Sequence, residues 1–129
     1  MGVDNWLLRV CDKIGYKHPT EIQTLTFKPI LAGESVIANA ETGSGKTAAF
    51  AFPLLQRLAK DPCGLFCVVI APCRELAVQI HEQLKIFGQN INLRQALLIG
   101  GTQYLKQNQD LDNIPHVVVG TPGRVAQLL

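Results

Sequence analysis

From residue 35 onward the chain alternates between short, mostly apolar runs and longer stretches whose apolar residues recur every three or four positions. Ser35-Val36-Ile37-Ala38, Leu65 to Ala71, Leu93 to Ile99 and His116 to Val119 are the runs, each the length of a strand. Pro72 closes the second and Gly100-Gly101 the third. The segments between them read as helices. One continues through Ala48-Ala49-Phe50-Ala51-Phe52. Another spans Leu76 to Phe87, with Leu76, Ile80, Leu84 and Phe87 on its apolar face and a stop at Gly88. A weaker, polar one runs from Thr102 to Leu111. A last one starts at Thr121-Pro122, where proline in the first turn costs no hydrogen bond. Apolar strands separated by helices predict an α/β fold whose parallel sheet is covered on both faces. Ligands of such sheets bind beyond the strands' carboxyl ends, so the loops after residues 38, 71, 99 and 119 are expected to share one rim. Two helices precede the sheet. Asp4 is placed to cap the first, which Gly15 stops after Ile14, and Thr20 to cap the second, which runs to about Leu31.

Between the first apolar run and its helix lies Ala40-Glu41-Thr42-Gly43-Ser44-Gly45-Lys46-Thr47. A glycine-rich turn there can wrap its backbone N–H groups around phosphate oxygens at the positive end of the helix. Lys46 would reach the β- and γ-phosphates, and the Thr47 hydroxyl would join the shell of a magnesium ion. The general pattern has glycine where this chain has Ala40, but the Gly45-Lys46-Thr47 end is intact.

Composition narrows the classes. The chain has 129 residues, the size of one modest domain or a piece of a larger one. Apolar residues make up 47% and charged ones 17%, which suits a packed globule rather than a disordered chain. The 12 basic residues are scattered and the net charge is only +2, so charge alone neither indicates nor excludes RNA. Cysteines at 11, 63, 67 and 73 form no Cys-x-x-Cys pair, and His18, His81 and His116 have no metal-ligand spacing. Buried thiols in a reducing compartment are expected. No run approaches the ~20 apolar residues of a membrane span and no signal peptide is visible, which points to the cytosol or nucleus.

Gly15-Tyr16-Lys17-His18-Pro19-Thr20-Glu21-Ile22-Gln23 supports two readings. Thr20 and Gln23 have the spacing of a capping box, in which each side chain satisfies the other's backbone N–H. Equally, a glutamine amide carries the donor and acceptor that match the N6 and N7 edge of adenine, and Tyr16 offers a ring for stacking. Taken with the loop at 40–47, this stretch resembles the Q motif and motif I of the DEAD-box RNA helicases. Pro72-Cys73-Arg74-Glu75-Leu76-Ala77 is similar to motif Ia, Gly100-Gly101 to the double-glycine motif, and Thr121-Pro122-Gly123-Arg124 to motif Ib. Trp6 occupies the place of an upstream aromatic in that family.

The resemblance implies a RecA-like P-loop NTPase fold of three layers, with residues 1–129 forming the N-terminal part of its first, ATP-binding domain. It implies ATP and Mg2+ as cofactors. Tyr16, Thr20, Gln23, Glu41, Thr42, Gly43, Ser44, Gly45, Lys46 and Thr47 would bind the nucleotide, with Lys46 and Thr47 as its catalytic members and Thr47 on the metal. Pro72, Arg74, Gly100, Gly101, Thr121, Pro122, Gly123 and Arg124 would touch the RNA backbone, contacts that position a strand without reading its sequence. The implied activity is ATP-dependent unwinding of short duplexes or remodelling of RNA–protein complexes, with a protein activator as a further partner. A binding module that clamps RNA or protein without turnover is the alternative. Another P-loop ATPase would not need Tyr16 and Gln23, and a guanine switch would need an Asn-Lys-x-Asp run that is absent. Asp61-Pro62-Cys63-Gly64-Leu65-Phe66-Cys67 resembles the nucleolar members that act in small-ribosomal-subunit assembly. That likeness implies a nucleolar location.

Two departures carry expectations. Cys73 stands where motif Ia usually has threonine, which weakens any side-chain hydrogen bond at that position. No Asp-Glu-Ala-Asp tetrad occurs. The chain therefore reads as a piece that ends before the strand carrying the hydrolytic carboxylates and lacks the second domain. Little ATPase activity of its own and self-association through uncovered apolar surface are expected.

Overall fold

The computed structural model describes residues 2–41, 45–61, 64–101 and 104–129, with backbone only at residues 104 and 105. Backbone contacts divide the chain into two compact units, Met1–Asp61 and Pro62–Leu129.

The described part of the first unit is helical: α1 Asn5–Ile14, α2 Glu21–Leu31 and α3 Lys46–Lys60. Gly15 ends α1 in the left-handed conformation, at φ 85°, where a side chain would be strained. Asp4 sits at the N-cap of α1, but its side chain makes no capping hydrogen bond; its backbone N–H donates instead to Gln56 Oε1 of α3 at 2.8 Å. Thr20 and Gln23 form the complete capping box of α2. Leu7 and Val10 of α1, Phe27 of α2, and Ala51, Phe52, Leu55 and Leu58 of α3 supply this unit's buried apolar residues. The Thr26 hydroxyl donates to the Ala49 carbonyl and ties α2 to α3.

The expected strand at residues 35–38 does not form. Ile37 is fully exposed and Val36 nearly two-fifths so. A strand needs a neighbour for its backbone groups, and no described segment of this unit is extended beside it.

The second unit holds β1 Cys67–Ile70, α4 Arg74–Phe87, a 3-10 turn at Gln89–Ile91, β2 Gln95–Leu98, α5 Tyr104–Asp112, β3 Val117–Gly120 and α6 Pro122–Leu128. All three strands are parallel, in the order β1-β3-β2, so the last strand in sequence lies at the centre. The strands are shorter than the apolar runs suggest, because the ladder covers only four rows, Cys67-Val117-Gln95 through Ile70-Gly120-Leu98. Burial follows position. Every residue of β3 is buried, whereas Val68 and Ile70 of edge strand β1 are exposed, Ile70 by half. The expectation of a sheet covered on both faces therefore holds for β3 alone. On α4 the buried face is Ala77, Ile80, Leu84 and Phe87; Leu76, expected there, is exposed by 37%. The 77-80-84-87 spacing is the true helical stripe, and Leu76 falls one position off it. The expected start of α5 at Thr102 lies outside the described residues.

At the amino end of this sheet, His116 is 4% exposed. Its Nδ1 accepts from the Arg94 backbone N–H at 3.1 Å, and its carbonyl accepts from Phe66 N–H at 2.8 Å. The Arg94 side chain donates through Nε and Nη2 to the Ile114 carbonyl, which fixes a non-glycine residue at φ 52°. Burial, reinforced by the nearby Arg94 charge, pushes the His116 pKa down.

Candidate functional site

In the first unit the nucleotide candidates meet at the N-termini of α2 and α3. The capping box fixes Gln23, which is 6% exposed. Its Oε1 accepts from Thr20 N–H at 3.0 Å, and Thr20 Oγ1 accepts from Gln23 N–H at 3.4 Å. The other end of the amide donates through Nε2 to the Gly45 carbonyl at 3.2 Å. One side chain thus joins the start of α2 to the start of α3. Gly45 holds φ 80° at the N-cap of α3, and a Cβ there would run into the Gln23 amide. Both readings of Gln23 meet here: the cap is formed, and the amide stands at the end of the candidate phosphate-binding sequence.

Tyr16 and Gln23 line one cavity of about 160 Å3, together with Cys11, Lys17, His18 and Phe52. Cavities of ~150 Å3 hold one aromatic ring. The Tyr16 ring meets Phe52 edge-on, centroids 6.4 Å apart. Phe52 and Cys11 are not candidates by sequence, because on a helix they read as ordinary core. Burial, helped by neighbouring Asp12, pushes the Cys11 thiol pKa up, so it stays a neutral wall of the cavity. Lys46 and Thr47 are the first two residues of α3, Lys46 exposed and Thr47 half-buried. Lys46 borders a second cavity of about 230 Å3, with Val36, Ala38 and Phe50 among its walls. Glu41 is exposed. Thr42, Gly43 and Ser44 lie outside the described residues.

No group of three or more His, Cys, Asp or Glu side chains able to hold a metal occurs among the described residues. Mg2+ keeps most of its shell as water and substrate phosphate, so one hydroxyl at the start of a helix is a fitting protein ligand for it. Thr47 meets that requirement.

In the second unit the RNA candidates gather by register. Ile70, Gly120 and Leu98 stand in one row, the last of each strand, and all three strands point the same way. Pro72 and Arg74, Gly100 and Gly101, and Thr121 to Arg124 therefore leave the sheet at one edge. Two bonds past the ladder close the row: Ala71 N–H donates to Gly120 O at 2.9 Å and Thr121 N–H to Leu98 O at 3.1 Å. Gly101 has φ 78°, and a Cβ there would stand 3.0 Å from Arg74 Nη1, so the guanidinium lies against that glycine. Arg74, Glu75, Val78 and Ile99 line an open groove of about 410 Å3. Pro122 is in the first turn of α6 as expected, and Gly120 lets that helix approach, since a Cβ there would fall 2.6 Å from Val125 Cγ2. The loop after residue 38, expected on the same rim, follows no strand and belongs to the first unit.

The cysteines divide. Cys67 is partly buried, which raises its pKa, and Cys11 is intermediate, but Cys73 is exposed, contrary to the buried-thiol expectation. It stands at the N-cap of α4, at the surface end of the helix. Cys11, Cys67 and Cys73 are free thiols. No helix among the described residues is long and apolar enough to cross a membrane.

Comparison with known proteins agrees with this geometry. The model of the DEAD/DEAH box helicase family matches residues 20–129. The ATP-dependent RNA helicase dbp8 of Schizosaccharomyces pombe is 46% identical over the whole chain, which covers 28% of that protein. DEAD-box ATP-dependent RNA helicase 36 of Arabidopsis thaliana is 47% identical over the same length, with 26% of it covered. The crystal structure of a DEAD box protein from the hyperthermophile Methanococcus jannaschii superposes with a TM-score of 0.90 at 34% identity, over 98% of this chain and 35% of that one. The chain thus spans about a quarter of the length of the curated relatives it matches.

Proposed function

The chain belongs to the DEAD/DEAH box helicase family, with its RecA-like α/β fold, and from that premise we propose that it forms the ATP- and RNA-binding portion of an ATP-dependent RNA helicase. The observation that carries the reading is the common register row from which Arg74, Gly101 and Thr121 leave the sheet. Three loops at one edge offer a cation and backbone N–H groups to a sugar-phosphate chain. Such contacts are indifferent to base sequence and sensitive to the 2′-hydroxyl. In the first unit, Tyr16 supplies a stacking face and Gln23 a donor–acceptor edge for adenine. Lys46 supplies charge for the phosphates, and Thr47 a hydroxyl for Mg2+. The parent activity is unwinding of short duplexes or remodelling of RNA–protein complexes with ATP. The likeness at Asp61–Cys67 supports a nucleolar site of action.

The test is a salt titration of binding to a fluorescent single-stranded oligouridylate by this chain and its Arg74→Ala variant. The variant should bind more weakly, and its slope of log affinity against log salt should be shallower by about one phosphate contact. Equal slopes would overturn the assignment of Arg74 to the RNA backbone. Binding to DNA as tight as to RNA would overturn the 2′-hydroxyl reading.

A further inference from the structure

We propose that Gln107 is a positioning residue for RNA binding, setting the double-glycine loop through the residue that leads into it. The inference rests on the RNA reading above. Gln107 lies on α5, whose sequence is polar nearly throughout, yet it is only 3% exposed. A buried amide on a polar helix needs a reason, because an unbonded one costs about 1–3 kcal/mol. Here Nε2 donates to the Ile99 carbonyl at 2.9 Å, inside the unit.

The position of that carbonyl gives the bond its meaning. Strand β2 ends at Leu98, whose carbonyl is the last to accept from the neighbouring strand, through Thr121 N–H. Ile99 is the first residue past the ladder, where the sheet no longer fixes the chain. Gly100 and Gly101 follow, two residues with the widest conformational freedom. A side-chain bond to Ile99 therefore bears on the path that Gly100 and Gly101 take. Gln107 supplies a hold there, and it is not among the residues that line the groove. The Ile99 side chain is 4% exposed and borders the same groove as Arg74. Fixing its peptide therefore fixes both the groove floor and the departure of Gly101. Gly101 in turn is the surface on which the Arg74 guanidinium lies. The chain of contacts runs from Gln107 through Ile99 and Gly101 to Arg74, so Gln107 acts on RNA without touching it.

A double-variant cycle tests this. Gln107→Leu keeps the bulk and removes the donor, and Gln107→Glu keeps the shape and replaces the donor with an acceptor that repels the Ile99 carbonyl. RNA affinity is measured with labelled oligouridylate for wild type, each Gln107 variant, Arg74→Ala and the doubles. Amide hydrogen exchange is followed at Gly100 and Gly101. Gln107→Leu should weaken RNA about tenfold, or ~1.4 kcal/mol. On top of Arg74→Ala it should cost little more, because both act through one loop. Exchange at Gly100 and Gly101 should speed up while the β3 amides stay protected. Independent, additive losses would overturn the proposal, as would unchanged exchange at the two glycines. If Gln107→Leu does not fold, Gln107→Glu decides on the same two readouts. Should the wild-type chain fail to bind RNA, the RNA reading falls by itself. The exchange data then still decide whether Gln107 sets the loop.

Discussion

The two units hold their candidate loops by opposite means. In Met1–Asp61 one side chain ties Gly45, at the end of the candidate phosphate-binding sequence, with Gln23 clasping Thr20 on one side and the Gly45 carbonyl on the other. In Pro62–Leu129 the candidate loops inherit their positions from three parallel strands in register. A tie made by one amide can be removed by one substitution. A rim that starts from one register row is lost as a whole only when the sheet yields, even where one of its loops is adjusted by a side chain such as Gln107.

The largest effect is expected where the sheet itself is attacked. In Gly120→Ala the new methyl would meet Leu98 O and Val125 Cγ2 at 2.5 and 2.6 Å, and the first is backbone with nowhere to go. Overpacking of this kind costs roughly 1–3 kcal/mol and sometimes more. Urea unfolding followed through the second unit's amides should show a markedly lower midpoint, with all three candidate loops lost together. A midpoint matching wild type would mean that α6 and β2 are not packed as described.

A smaller and more local loss is expected on the other side. Gln23→Ala removes half of a capping box, about 1 kcal/mol, together with the bond to Gly45. ATP binding should weaken much more than GTP binding, because only adenine presents the edge the amide matches. Equal losses for both nucleotides would leave Gln23 a helix cap alone. The second unit's amide exchange should not change.

The smallest effect is graded by pH and again separates the units. His116 must be neutral at Nδ1 to accept from Arg94, and its pKa lies below the usual histidine value of about 6.5. Above that value folded and unfolded chains are both neutral, and the group contributes nothing. As the pH falls below it, the unfolded chain takes a proton that the folded one resists, and stability declines until the lowered pKa is passed. His81, shifted the same way by burial, adds to the trend. Unfolding midpoints between pH 7.5 and 5 should therefore fall in the second unit, and His116→Asn should flatten that fall. A fall undiminished in the variant would remove His116 from the account.

The sequence displays whatever depends on neighbours in the chain. Gly15 as a stop, the Thr20–Gln23 box, Pro122 in a first turn and the three strands of the second unit all follow from local spacing. Residues 35–38 show the limit: Val36-Ile37-Ala38 has the composition of a buried strand, but pairing is a property of two segments, and no described segment pairs with it. Leu76 shows another. A pattern reader prefers leucine to alanine, whereas the stripe runs through Ala77, whose small side chain is what lets the helix lie close. Gln107 was hidden by its own chemistry, since a glutamine among Asn, Gln, Lys and Asp reads as one more solvated residue. Only its burial and its bond to Ile99 set it apart.

The strand order has a consequence for how the second unit is made. Among the described residues β1 and β2 do not pair with each other, and both pair with β3, the last of the three to leave a ribosome. Cys67 waits for Val117, so loop closure must span most of the unit before the first ladder bond of β1 repays it. Until Gly120 has been synthesised, β1 and β2 lack the strand with which both pair among the described residues. The interval between the synthesis of β1 and of β3 is thus when the nascent polypeptide most needs a chaperone. Slowing translation across residues 99–116 would lengthen it, and the yield of folded protein would drop with no change in sequence.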